Sequence, residues 1–148
     1  METPKNPTSI NHRIREGFSR VATAMRTDDW NRAKTSGLNP TQLAILELLE
    51  GRRNGLGVKE IAANLGVSQP TATDSIAALE RKGFVAKRSA GTDKRGVNVG
   101  ISPEGLSALE VGNSASVAEQ TVDALAEHEQ EDLLITLVKM IRHLSTGS

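Results

Sequence analysis

The chain of 148 residues contains no cysteine, which rules out disulfides, thiolate metal sites and thiol-based redox sensing. Aromatic residues are almost missing as well: Phe18, Trp30 and Phe84 complete the set. Proteins that grip single strands or RNA stack bases on aromatic platforms, so a nucleic-acid partner would be duplex DNA. Long apolar runs are lacking too, the longest being Leu133 to Val138, broken by Thr136. The opening METPKNPTSINHR carries no apolar core of the kind a secretory leader needs. A cytoplasmic protein with no membrane partner is expected.

Catalytic constellations are also wanting. No Ser/His/Asp arrangement and no phosphate-cradling glycine loop stands out, and GLG at Gly55–Gly57 reads as a flexible joint. His12, His128 and His143 lack metal-ligand spacing, and a helix would fan Glu127, His128 and Glu129 apart. The chain is therefore read as a non-enzyme without cofactor or metal.

What is present is an uneven charge distribution beneath a net charge of zero. Residues 52–95 hold nine Lys/Arg against four Asp/Glu, whereas residues 96–148 hold two against eight. A basic middle and an acidic tail point to a local anion-binding surface.

Along the chain, residues 1–8, with two prolines, read as a flexible arm. Ile10, Ile14, Phe18, Val21 and Met25 then form a helical stripe, giving a first helix within residues 9–37. In LNPTQLAILELLEG, Asn39 is an N-cap, Pro40 suits the first helical position and Gln42 can reach back as a capping box. Leu38 and Leu43 are spaced as a hydrophobic staple. Apolar residues on most sides of that helix make it central. GVKEIAANLG is a short helix with Ile61, Ala62 and Leu65 inward. After NLGVSQ the next helix is capped by Ser68, with Ala72, Ile76 and Leu79 on its buried face. FVAKRS and VNVGIS, around AGTDKRG, read as a β-hairpin. Ser102-Pro103-Glu104 opens a further helix with Leu106, Leu109 and Val117 on one side, interrupted by Gly112 and Asn113. Leu134, Leu137, Ile141 and Leu144 form the last stripe.

The tight joint between two short helices is a helix-turn-helix signal, with Ala62 small at the crossing and Gly66 permitting the turn. A hairpin directly after the second helix is placed to reach the DNA backbone or minor groove, where Arg and Lys find concentrated negative potential. The candidate DNA-binding residues are Ser68, Gln69, Thr71, Thr73 and Asp74 on the second helix, with Arg88, Asp93, Lys94 and Arg95 on the hairpin. Amide and hydroxyl side chains can read base edges or phosphate oxygens, and a helix N-terminus attracts phosphate. Ser68 and Thr71 serve equally as helix caps.

From Leu38 to Gly105 the residues resemble the MarR family of winged helix-turn-helix regulators. The similarity is carried by LNPTQLAILELL and by VKEIAANLGVSQPTATDSIAALERKGFVAKRSAGTDKRGVNVGISPEG. The resemblance implies a mainly α fold with a small β-hairpin wing: a winged helix-turn-helix at 38–101, flanked by dimerisation helices at 9–37 and 102–148. It further implies a homodimeric repressor on an inverted repeat in double-stranded DNA. Asp93 would orient an Arg, Arg95 would enter the minor groove, and a small anionic or aromatic effector would act between dimerisation and DNA-binding parts. Two positions depart from the family pattern. Asp74 stands where relatives often carry a basic residue, and Ser75 where they often carry a buried aliphatic one. The competing reading is a winged-helix module that docks on an acidic protein.

Overall fold

The computed structural model describes residues 8–89, 96–111 and 115–146. The wing tip, residues 90–95, and the interruption at 112–114 lie outside them, as do the arm residues 1–7. The chain divides into two units, residues 1–114 and 115–148.

In the first unit, α1 runs over Ile10–Thr35. Ser9 caps it by accepting the His12 amide at 3.1 Å. It ends in a Schellman turn, in which the Leu38 amide reaches back to the Ala33 carbonyl at 2.8 Å and the Gly37 amide to that of Lys34 at 3.0 Å. This turn delivers Leu38 to the core beside Ala33. α2, Pro40–Leu49, opens with the expected capping box: Asn39 Oδ1 accepts the Gln42 amide at 2.9 Å while Gln42 Oε1 accepts the Asn39 amide at 3.1 Å. It packs against α1, the three helices that follow it and the second wing strand. Ile45, Leu46 and Leu49 are completely buried, each contributing about 1.5–3 kcal/mol to folding.

α3 spans Val58–Leu65 and α4 spans Gln69–Arg81. The turn between them depends on Gly66, whose φ of 67° is one that residues with a Cβ rarely adopt. Ile61 and Ala62 from α3 and Ala72, Ile76 and Leu79 from α4 fill the space between them. The wing strands β1, Val85–Ser89, and β2, Val97–Ile101, are antiparallel, with Val85 opposite Ile101 and Arg88 opposite Asn98. Val85, Val99 and Ile101 face the core.

Two expectations are corrected here. GLG is not a slack joint: Leu56 forms a bridge with Val99, amide to carbonyl at 3.0 Å and back at 2.8 Å, so the α2–α3 connection is pinned to the two-stranded wing at one residue. α5, Pro103–Glu110, turns Gly105 and Ala108 inward and leaves Leu106 40% exposed. The reason is close approach: a Cβ at Gly105 would collide with the Phe84 carbonyl and the Ile101 side chain. α5 packs on α2 and β2, and Ser36 Oγ donates to the Ala108 carbonyl at 2.8 Å. It therefore belongs with the first unit rather than with the helices after it.

The second unit holds α6, Val117–Asp123, and α7, Glu127–Thr146. Val117 thus begins a separate helix instead of extending α5. Leu134, Ile141 and Leu144 of α7 stay exposed, as do Ile10, Ile14, Phe18 and Val21 of α1. Among the described residues no helix is long and apolar enough to cross a membrane.

Candidate nucleic-acid interface

The start of α4 is fixed by its cap. Ser68 Oγ accepts the Thr71 amide at 3.2 Å and donates to Thr71 Oγ1 at 2.8 Å. Pro70 occupies the first turn, where no intrahelical partner exists for its missing N–H. Because Ala72, Ile76 and Leu79 are buried, the helix cannot roll. Gln69, Thr71, Thr73 and Asp74 are consequently held on the exposed side with Ser68. The expected hydroxyl and amide group is thus brought together on the first two turns of one helix. Ser75 is half-buried.

The first unit also exposes a good deal of positive charge. Lys59, Arg81, Lys82 and Lys87 are exposed, as are Arg52 and Arg53. Lys82 Nζ lies 3.4 Å from the Gly37 carbonyl and Arg52 Nη1 2.8 Å from that of Leu48. The Arg52–Arg53 pair escaped the sequence reading. Its signal is an arginine doublet next to a glycine in the α2–α3 connection, which the Arg88–Arg53 bond and the pairing of Leu56 with Val99 draw toward the wing.

Of the hairpin candidates, Asp93, Lys94 and Arg95 fall within 90–95, outside the described residues. Arg88 is placed otherwise than expected. Its Nη1 donates to the Arg53 carbonyl and its Nη2 to the Ile101 carbonyl, both at 2.7 Å. Those donors are directed into the root of the wing instead of toward a ligand. Among the described residues no group of three His, Asp or Glu is placed to hold a metal.

A separate cleft of about 390 Å³ opens between α1 and the start of α2, lined by Arg26, Asp29, Trp30, Asn39, Pro40 and Thr41. Trp30 is 55% exposed there. Burial raises the Asp29 carboxyl above its ordinary value, opposed by the Arg32 guanidinium and reinforced by Asp28.

Comparison with known proteins fits this geometry. Residues 38–97 match the model of the MarR family. The chain is 28% identical over 125 residues to YkoM of Bacillus subtilis, an uncharacterized HTH-type transcriptional regulator, covering 82% of this chain and 80% of that one. The fold resembles S. aureus MepR in its DNA-binding conformation, with 26% identity, a TM-score of 0.77 and coverage of 88% and 98%. A point mutant of S. aureus MepR bound to an oligodeoxyribonucleotide is similar at 25% identity and a TM-score of 0.56, covering 88% of this chain and 97% of that one. Residues 38–97 accordingly match the MarR family, and over most of its length the chain is similar to HTH-type transcriptional regulators.

Proposed function

We propose that the protein is a homodimeric repressor that binds an inverted repeat in duplex DNA, reading bases with the first turns of α4. The observation that carries this reading is the row Ser68, Gln69, Thr71 and Thr73, held outward on a helix whose opposite face is fully packed. Two such helices, one from each protomer, would enter successive major grooves about 34–36 Å apart. Asp93, Lys94 and Arg95 would serve the flanking backbone and minor groove. The exposed apolar stripes of α1 and α7 are the surfaces we assign to the dimer, since each is too continuous to be left to water.

The cleft beside Trp30 is where we place a small anionic or aromatic effector, with Arg26 supplying charge and the indole a flat apolar wall. Thermal-shift measurements with benzoate and its ring-substituted relatives test this. Stabilisation lost in Trp30→Ala supports the site, and its absence across the series removes it.

The central test is an anisotropy titration with the DNA immediately upstream of the coding region, against random duplex of equal length, at several salt concentrations. The expected result is tighter binding to upstream DNA, with footprint protection over an inverted repeat. Arg95→Ala should cost about 1–3 kcal/mol of affinity and flatten the salt dependence. Equal affinity for both duplexes would transfer this surface to an acidic protein partner instead.

A further inference from the structure

The β1–β2 pair that lies directly opposite, Arg88 and Asn98, does one job with two side chains. Arg88 Nη1 donates to the Arg53 carbonyl at 2.7 Å, and Asn98 Nδ2 donates to the next carbonyl, that of Asn54, at 2.9 Å. Beyond them Leu56 and Val99 exchange amide–carbonyl bonds. Consecutive peptide groups of the α2–α3 connection are thus drawn onto the wing.

The guanidinium reaches the Arg53 carbonyl across Gly100, the diagonal neighbour on the same face of the hairpin. A Cβ at Gly100 would strike Nε, Cδ and Cζ of Arg88. Gly100 is buried with a backbone conformation open to any residue, so space for the guanidinium is what makes glycine necessary there. The second Arg88 donor, Nη2, closes on the Ile101 carbonyl at 2.7 Å, where β2 gives way to α5. A planar fork with fixed donor directions suits two carbonyls at once, which a lysine ammonium does not.

We propose that Arg88 seated on Gly100 is a lock at the root of the wing, and that Arg88 is a positioning residue for DNA binding, acting by fixing the wing to the α2–α3 connection without itself touching DNA. The DNA half of this statement rests on the function proposed above; the lock does not.

The experiment uses the full chain and three variants, Arg88→Ala, Arg88→Lys and Gly100→Ala. Gly100→Ala keeps the Arg88 charge but evicts the guanidinium from its seat. Hydrogen exchange on the free protein is read first. All three variants should lose about tenfold or more of the amide protection at Leu56 and Val99. The Arg88→Ala/Gly100→Ala double variant should lose no more than Arg88→Ala alone. Unchanged protection in Arg88→Ala and Gly100→Ala overturns the lock. Should Arg88→Ala fail to fold, Gly100→Ala still decides, because it removes no polar group.

Affinity for the upstream duplex is read second. The charge-keeping variants, Arg88→Lys and Gly100→Ala, should weaken binding as much as Arg88→Ala, by about tenfold. If Arg88→Lys and Gly100→Ala bind like the native protein while Arg88→Ala does not, Arg88 contacts phosphate directly and the positioning role is refuted. Native protein that binds upstream and random duplex alike refutes the functional reading and with it the positioning role, while the exchange rates still report on the lock.

Discussion

The Arg32 guanidinium donates to the Glu47 carboxylate at 3.0 Å and so ties the last turns of α1 to the last turn of α2. Asp28 and Asp29 approach the same guanidinium at 3.8 and 3.6 Å. The Arg32 side chain is only 18% exposed against 44% for Glu47, so removing the cation costs more than removing the anion. Arg32→Ala should lower stability by about 1 kcal/mol, a charge-assisted bond discounted for its open side. Glu47→Gln should cost less than half of that. Urea denaturation of the two variants gives both numbers.

The same cluster sets a pH dependence. Asp29 is raised above its ordinary 3.8 by burial, with Arg32 opposing. A carboxyl that holds its proton more firmly when folded takes up protons on folding. Its stabilising contribution is therefore complete below pH 3.8 and is lost as pH rises through the folded value. Asp29→Asn removes this loss. The melting temperature of the variant relative to native should climb as pH is raised through that window, which thermal scans at a series of pH values will show.

Ser68 has a structural duty and a proposed recognition duty, and two substitutions separate them. Ser68→Ala removes the acceptor for the Thr71 amide and should cost about 1 kcal/mol of stability. Ser68→Asp keeps a capping oxygen and adds a charge that the helix N-terminus welcomes. It should fold as well as native yet bind the upstream duplex more weakly. A chemical melt paired with an anisotropy titration separates these effects.

Glycines with similar φ values should differ sharply on substitution. At Gly66 an added Cβ meets nothing within 4 Å, so Gly66→Ala carries only the backbone penalty, about 1 kcal/mol. At Gly55, with φ of 67°, a Cβ would collide with the Val99 carbonyl that accepts the Leu56 amide. Gly55→Ala should cost about 3 kcal/mol or more, as measured by denaturant midpoint at constant slope.

Asp74 is exposed among the recognition candidates of α4. A carboxylate close to phosphates repels them even through water, on the order of 0.5 kcal/mol at such range. Asp74→Asn should raise affinity for random duplex by about twofold or more, read by titration at low salt.

Ile14→Glu together with Phe18→Glu places charge on the apolar stripe of α1 without touching the packed core. The expected outcome is a folded monomer by sedimentation equilibrium, with loss of inverted-repeat binding.

Much of this architecture was legible because its signals are local. Asn39 and Gln42 cap each other three residues apart, and Ser68 caps the amide of Thr71. The spacing of Ala72, Ile76 and Leu79 fixes which side of α4 is free. Elements decided by long-range packing were less legible. Leu106 looked inward by hydrophobicity, but α5 approaches Phe84 and Ile101 so closely that a side chain at Gly105 would collide with them. Arg88 looked like a DNA ligand by charge. Its placement turned on the carbonyls of Arg53 and Ile101, which lie 35 and 13 residues away, and on the space left by Gly100. No local pattern encodes such a vacancy.

Trp30 has a practical consequence. It is the single indole in a chain without tyrosine, and it lies on the open wall of the α1–α2 cleft, away from the packed interior. Its emission is a one-site optical gauge: quenching by an added compound reports occupancy of that cleft directly. Melting of the wing and helix-turn-helix should leave the emission colour largely unmoved until α1 itself unwinds. Fluorescence and far-ultraviolet dichroism would then trace two different events along one unfolding curve.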